Sequence, residues 1–304
     1  MIGLQYAAIR EKKDRVLRLT GFTPDEFEAL HQLFDVKWAS FIRRYTLEGK
    51  ERKRQVQKER KNAMLPKVED KLLFLLYSLK NYPTQEALAT QFNMEQPHAN
   101  MWLRVLRPLL SEALAQGGDL PEQTVERLNK AIGSRQSVII DGVERPFCAQ
   151  VIQRFKPKSL AVKKRHVVKN VLISGTDERI LYVSPTYPGS VHDKTIADEQ
   201  DIEFQRTIDL LQDTGFQGYK PKNANIIQPL KKPKGKELSQ EQKDQNKAKS
   251  IKRVVVEHSI RGFKIWRVAK DVCRNWTVEL RDYYIFISCG LHNFRLRQRG
   301  SFIV

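Results

Sequence analysis

The sequence predicts an α/β protein in which an all-helical N-terminal part precedes a mixed sheet flanked by helices. Two observations carry that expectation. Apolar residues recur at helical spacing from Leu65 to Leu114, and after about residue 135 the chain turns to short β-rich runs separated by turn signals. A third observation concerns the partner: 54 Lys+Arg stand against 35 Asp+Glu, a net charge of +19 over 304 residues. Such a surplus points to a polyanion, of which nucleic acid is the commonest. The length suggests two domains with ample core. With 40% hydrophobic and 29% charged residues, a wholly disordered or collagen-like chain is excluded. No run approaches the ~18–20 apolar residues needed to cross a bilayer, so no membrane partner is expected. The start, MIGLQYAAIREKKDR, lacks a basic-then-apolar leader. Cys148, Cys273 and Cys289 are far apart and without C-x-x-C spacing, which argues against a zinc site or disulfide framework and for a reducing, cytoplasmic compartment.

The elements follow in order. In FTPDEFEALHQLFD (22–35), Thr23 and Glu26 have capping-box spacing, Pro24 suits the first turn, and Phe27, Leu30 and Phe34 recur at helical spacing. Residues 43–61 hold nine Lys/Arg against three Glu, the composition of a solvated linker or of a phosphate-contacting arm. Pro66 opens a helix with Val68, Leu72, Leu75, Leu76 and Leu79 on one stripe, stopped at Asn81-Tyr82-Pro83. Thr84 caps TQEALATQF, Asn93-Met94-Glu95 is a tight turn, and Gln96-Pro97 starts HANMWLRVLR. Two helices of this size across such a turn have the form of a helix-turn-helix. Asn100, Arg104 and Arg107 share one face of its second helix, and Asn and Arg read adenine and guanine edges. A packed helical hairpin has the same pattern.

Beyond Gly117-Gly118 the β-rich runs are SVIID (137–141), HVVKNVLIS (166–174), RILYVS (179–184), TIDLLQD (207–213) and NIIQP (225–229). Gly175-Thr176-Asp177 makes the second and third an antiparallel hairpin. The helical stretch VHDKTIADEQDIEF is a crossover that leaves the fourth run parallel to a neighbour. LKKPKGKELSQEQKDQNKAKS reads as a loop or frayed helix, and the chain is helical again from Ile251 to about Arg295.

Asp141 closes the first run and Asp213 the fourth, so both acids stand at C-terminal strand ends. If those strands are parallel neighbours, the acids share the sheet edge where open α/β folds place ligands. Glu257 closes the run VVVE and starts a helix carrying Arg261 and Lys264 at i+4 and i+7. Clustered carboxylates repel unless a cation sits between them, and oxygen-only ligands suit magnesium or manganese rather than zinc. Two such ions about 3.5–4 Å apart can activate an attacking water and steady the leaving oxygen of a phosphodiester. Any one of these acids alone reads more simply as a cap or turn former; three at successive element ends point to a metal centre.

The segments IIDGVERP, KKRHVVKN, ILYVSPTYPGSVHDK, DTGFQGY, NIIQP–KKPKGKELS, RVVVEHSIRGFK and CGLHNFRL resemble those of DDE-type transposases of bacterial insertion sequences. The resemblance is closest to the insertion-sequence-five group and its Harbinger-like DDE superfamily relatives. It covers about residues 65–297, with LPKVEDKLLFLLYSLKNYPTQEALATQF resembling the family's helix-turn-helix. It implies an RNase H-like five-stranded mixed sheet with two divalent ions, Mg2+ or Mn2+, held by Asp141, Asp213 and Glu257. Arg253, Glu257 and Lys264 supply the family's R-x3-E-x6-K, and Ser250 stands where it usually has Tyr. Asp193 lies in another family motif, Gly189-Ser-Val-His-Asp, and rivals Asp213 as second ligand. Asp213 is preferred because it ends a strand that can lie beside the first, while Asp193 begins a helix and has the place of a cap or of a fourth, outer metal ligand. His192 and His258 adjoin acids and are secondary candidates for touching phosphate.

The resemblance implies a transposase that binds terminal inverted repeats, hydrolyses phosphodiesters at them and joins the ends to target DNA, as a homo-oligomer on double-stranded DNA. Asn100, Arg104, Arg107, Arg253, Arg261 and Lys264 would contact DNA. The expected domains are 1–62, a helical region with the basic arm; 63–118, the helix-turn-helix; and 135–297, catalytic. A non-transposing nuclease of the same fold and a transposase-derived DNA-binding regulator are the alternatives.

Overall fold

Strong helix-start signals and broad apolar stripes shape the N-terminal half. The computed structural model describes residues 3–54, 64–147, 167–231, 239–274 and 277–300. It divides into two units: Met1–Asp119 with Ile265–Val268, and Leu120–Lys264 with Ala269–Val304. The first unit contains α1 (Lys13–Thr20), α2 (Pro24–Arg44), α3 (Val68–Asn81), α4 (Gln85–Gln91) and α5 (Gln96–Gln116).

The capping box at α2 is formed as its spacing predicts: Glu26 N donates to Thr23 Oγ1 at 3.2 Å, and Thr23 N donates to Glu26 Oε2 at 2.8 Å. Such a cap contributes about 1 kcal/mol. Phe27, Leu30 and Phe34 are then fully buried. Helix α3 buries residues all around its circumference, Leu72 through Leu76 without a break, because other helices flank it. Its Lys71 is buried too: the ammonium lies 4.7 Å from the Trp38 ring and 5.7 Å from the Trp102 ring, and donates to the Leu65 carbonyl at 2.6 Å. Two aromatic faces and a carbonyl replace the water that ammonium loses.

Thr84 caps α4 by accepting from Ala87 N at 3.2 Å. The turn that follows places Asn93 at φ 53°, a left-handed conformation Asn tolerates better than most residues. Helix α5 runs past the expected HANMWLRVLR to Gln116, since Leu109, Leu110, Ala113 and Leu114 continue the buried stripe. Of the basic stretch 43–61, residues 55–61 lie outside the described residues, as do Cys148, residues 232–238 of the Lys-rich segment and the terminal four residues.

The second unit is built on a mixed sheet of β1 (Ser137–Pro146), β2 (Val167–Gly175), β3 (Ile180–Val183), β4 (Tyr187–Pro188), β5 (Ile208–Leu211) and β6 (Ala224–Ile227). Their order is β3-β2-β1-β5-β6, with β4 paired to β2. The sheet has six strands where five were expected, because two residues, Tyr187 and Pro188, pair against Val168 and Lys169. The β2–β3 hairpin and the parallel β1–β5 pair both form as read from the turn signal and the crossover.

Helices α6 (Val125–Ile132), α7 (Asp193–Glu199), α8 (Gln240–Phe263) and α9 (Val278–Gln298) complete the unit. Strand alternation sorts them onto two faces. Val138 and Ile140 of β1 pack with Leu128 of α6 and Ile196 of α7. Ile139 packs with Leu211 and with Val256 of α8, and Val143 packs with Phe263 and Ile285.

Four expectations are corrected. Strand β1 does not end at Asp141 but continues to Pro146, because its antiparallel pairing with β2 reaches Val167 after the parallel pairing with β5 has stopped at Ile139. Helix α7 covers only seven residues of the expected crossover and is closed by Asp201 at φ 47°. Glu257 does not start a helix: α8 begins at Gln240, behind a capping box in which Gln242 N donates to Ser239 Oγ at 3.2 Å. The helix expected to run unbroken from 251 to 295 stops at Phe263, makes only a single turn at Arg267–Lys270, and becomes a long helix again at Val278, where Thr277 caps the new start.

Candidate active site

Two strands bring the first two acids together. Asp141 lies two residues beyond Ile139, the last β1 residue paired to β5, and Asp213 lies two residues beyond Leu211, its partner in register. Both side chains therefore lie just past the same end of the parallel β1–β5 pairing. The alternation of β1 puts Asp141 on the face of Ile139, the side covered by α8. From α8, Arg253 reaches both: its Nη2 stands 3.7 Å from Asp141 Oδ2 and 3.9 Å from Asp213 Oδ2. The next turn seats Val256 on Ile139 and Leu211, and this contact fixes the rotation of the helix that presents Arg253.

The two carboxyls differ in acidity for physical reasons. Burial pushes Asp141 up from 3.8 to about 6; Arg253 and the Gly142 amide pull it down, while the charges of Asp213 and Asp193 push it further up. Asp213 is half-open to solvent. Burial raises it too, but bonds from Thr214 Oγ1 at 2.8 Å and Gly215 N at 3.0 Å, together with Arg253, hold it below the ordinary carboxylate value. Two neighbouring acids driven apart in pKa, on a shared cation at a sheet edge, form a functional-site geometry.

Lys264, at the end of α8, is partly buried. Burial first and then the nearby Arg145 charge hold its pKa below the usual lysine value, and Asp141 and Glu144 oppose that. Arg145 itself is almost wholly buried on β1, bonded to Asn170 Oδ1 at 3.0 Å and Thr186 Oγ1 at 3.1 Å.

Glu257 is exposed, one turn beyond Arg253 on α8, which is about 6 Å along the axis. Among the described residues no group of three or more His, Cys, Asp or Glu is arranged to hold a metal ion. The donors that do converge, Asp141 and Asp213, are nevertheless of the right kind for a hard divalent cation: oxygen only, one of them an acid whose charge burial disfavours. Arg253 Nε is buried and has no hydrogen-bond partner among the described residues.

Asp193 does not cap α7; it is the first residue of that helix, and its carboxylate instead bonds Lys169 Nζ at 3.2 Å. His192 is exposed at the N-cap position and makes no capping bond. His258 is exposed, with Nδ1 3.1 Å from Glu178 Oε1 in the β2–β3 turn. In the other unit, Arg104 is exposed on α5 while Asn100 and Arg107 are half-buried. Sequence reasoning missed Lys169, and it missed Gly142, beside which a methyl group would meet the Asp193 carboxyl at 2.9 Å. The Asp-Gly step after an apolar run was the available signal for Gly142; Lys169 sits among β-branched residues with nothing to single it out.

In this fold the mixed sheet sets Asp141 and Asp213 just past the last paired residues of two adjacent parallel strands, and comparison with known proteins identifies the family. Residues 141–293 match the DDE superfamily endonuclease family, and the chain belongs to that family. The match begins at Asp141. A probable transposase for insertion sequence element IS702, from Microchaete diplosiphon, is 24% identical over 245 residues, covering 79% of this chain and 86% of that protein. The similarity to DDE-type insertion-sequence transposases read from the motifs is thereby shown. No solved structure matches the chain.

Proposed function

We propose that this protein is a DNA transposase whose second unit cleaves phosphodiesters at the ends of its element and joins them to target DNA. The observation that carries the reading is the convergence of Asp141 and Asp213 on Arg253 at one edge of parallel strands. Asp141, Asp213 and Glu257 would hold two divalent ions, magnesium or manganese; when bound, such ions make water a better nucleophile and neutralise charge on the leaving oxygen.

The chain's own groups have separate tasks. The depressed pKa of Asp213 keeps it anionic at neutral pH, available as a ligand or proton acceptor. Arg253, Arg261 and Lys264 would hold DNA phosphate beside the acids, and Arg145, whose charge reaches Lys264, adds to the local positive potential. His192 and His258, both exposed, are secondary candidates for the same work. In the N-terminal region, residues 63–118 act as the helix-turn-helix, with Asn100, Arg104 and Arg107 reading the terminal repeat, and the basic arm before them binds the backbone. The catalytic domain occupies 135–297. Among the described residues no helix is long and apolar enough to cross a membrane, which suits a DNA-bound protein of the cytoplasm acting as a homo-oligomer on paired element ends.

The test is metal-dependent nicking of a terminal-repeat duplex. Cleavage should require Mg2+ or Mn2+ and stop with excess chelator. Asp141→Asn, Asp213→Asn and Glu257→Gln should each abolish it while DNA binding persists; Asp193→Asn should retain measurable cleavage. Full activity without metal, or a dead Asp193→Asn beside a normal Asp213→Asn, would overturn the assignment.

A further inference from the structure

On the face of β1 opposite Asp141 lies a second ionic cluster that the cleavage chemistry does not use. Glu144 of β1 and Lys169 of β2 are direct partners across the antiparallel ladder. The Lys169 ammonium stands 3.2 Å from Glu144 Oε1 and 3.2 Å from Asp193 Oδ1, and its side chain is only 13% exposed. Burial works against its charge, but the bonds to Asp193 and Glu144 outweigh that and hold its pKa above the ordinary lysine value.

The Asp193 carboxyl so held is wedged between two glycines. A Cβ at Gly142 would lie 2.9 Å from Asp193 Cγ and 3.0 Å from each carboxyl oxygen, and one at Gly215 would lie 3.3 Å from Oδ2. Gly142 directly follows Asp141, and Gly215 comes two residues after Asp213. One carboxyl group therefore fills the space where a side chain would stand at both glycines beside the acids of the proposed site. Its position is set from behind by Lys169.

We infer that Lys169 is a positioning residue: by clamping Asp193 between Gly142 and Gly215, it fixes the spacing of Asp141 and Asp213 and keeps the Asp193 carboxylate out of their site. This rests on the proposed metal-dependent cleavage. Three consequences follow from the chemistry. Without the ammonium, the Asp193 carboxylate loses its charge partner and turns toward the nearest cation. A metal ion at Asp141 and Asp213 then gains an extra anionic ligand, so it binds more tightly. The same ligand sits where reacting oxygens must go and shifts the two aspartates, so turnover falls.

The experiment compares full-length wild type, Lys169→Met, Lys169→Arg, Asp141→Asn and the double variant Lys169→Met with Asp193→Asn. Manganese binding is read by electron paramagnetic resonance without DNA, and nicking kinetics are read against Mn2+ concentration. Lys169→Met should bind Mn2+ about threefold more tightly and turn over at least about tenfold more slowly, with KM for DNA within about twofold, since small misplacements at a reacting centre cost rate rather than binding. Lys169→Arg should restore turnover, and removing the Asp193 charge from the Met variant should return Mn2+ affinity to the wild-type value. If the Met variant lacks the native circular-dichroism spectrum, Lys169→Gln, which is one atom shorter than lysine but keeps a neutral donor, takes its place. A variant that loses turnover with unchanged Mn2+ affinity, or that the Asp193 change does not correct, overturns the positioning role alone. Wild type that binds no more Mn2+ than Asp141→Asn overturns the metal site and this inference together.

Discussion

Replacing Asp141 by Asn should stabilise the metal-free protein at neutral pH while destroying its cleavage. The fold raises the Asp141 pKa from 3.8 to about 6, with burial the main cause. The difference, 6 − 3.8, is about 2.2 units, and at about 1.36 kcal/mol per unit it corresponds to about 3 kcal/mol. The sign follows from which state binds the proton. Below pH 3.8 both folded and unfolded chains are protonated at this position, and the group costs nothing. As pH rises through 3.8 the unfolded chain releases its proton first, so stability falls with pH until the folded group also ionises near 6; above that the full cost remains. Asn cannot ionise, so the variant escapes this slope. Its advantage should be only about 0.5 kcal/mol at pH 4 and approach about 3 kcal/mol at pH 7 as an upper value, because Arg253 loses one of its two carboxylates in exchange. Urea unfolding of both proteins in chelator, across pH 4 to 7.5, measures the difference directly, and other acids cancel in the subtraction. Magnesium should then close the gap, since a ligand that binds only the native state stabilises wild type by RT ln(1 + [L]/Kd) and the variant far less. A stability difference independent of pH, or a variant less stable than wild type at pH 7, would refute the reasoning.

Gly142→Ala forces a methyl group to 2.9 Å from the Asp193 carboxyl and 3.0 Å from its oxygens; it should cost about 1–3 kcal/mol in chemical denaturation, as overpacking does, and lower cleavage with it. Asn100→Ala with Arg104→Ala should lose about 1–3 kcal/mol of terminal-repeat discrimination per lost base contact, measured by competition against random duplex, and unchanged preference would remove α5 as the reading helix. Affinity for any duplex should fall steeply with salt given the +19 charge, and Lys→Ala changes in the basic arm should flatten that slope without altering sequence preference.

How far the sequence revealed this molecule depended on whether local chemistry or tertiary contact decided each feature. Thr23, Glu26 and Thr84 were legible because a cap is settled within three residues of chain. The parallel pairing of β1 with β5 was legible because a helical crossover leaves few alternatives. The true end of β1 was not, because nothing local stops a strand when a partner 21 to 29 residues away continues to pair with it. The start of α8 was misread for a different reason. Gln240–Ser250 is polar on nearly every side, so periodicity gave no signal, although the Ser239-x-x-Gln242 box marked the start plainly. Asp141 and Asp213 were found from their positions after apolar runs. Lys169 was not, since its partners Glu144 and Asp193 lie 25 and 24 residues away and only the folded sheet joins them.

The choice between Asp213 and Asp193 turns on which face of the sheet each serves. Side chains alternate along β1, so Ile139, Asp141 and Val143 share one face while Val138, Ile140, Gly142 and Glu144 share the other. The first face carries Val256 and Phe263 of α8, and that helix delivers Arg253 to Asp141. Asp213, which continues from β5 past Leu211, meets the same guanidinium on the same side. Asp193 begins α7, whose Ile196 packs on Val138 and Ile140, and its carboxyl touches Gly142 and pairs with Lys169 on the second face. Its charge still reaches Asp141 and helps push that acid up, so the two are near. Near is not equivalent: one carboxyl shares Arg253 with Asp141, and the other shares Lys169 with Glu144 on the opposite face. The proposed metal site takes Asp213 because, of the two, it is the one that shares a counter-charge with Asp141 on that side of the sheet.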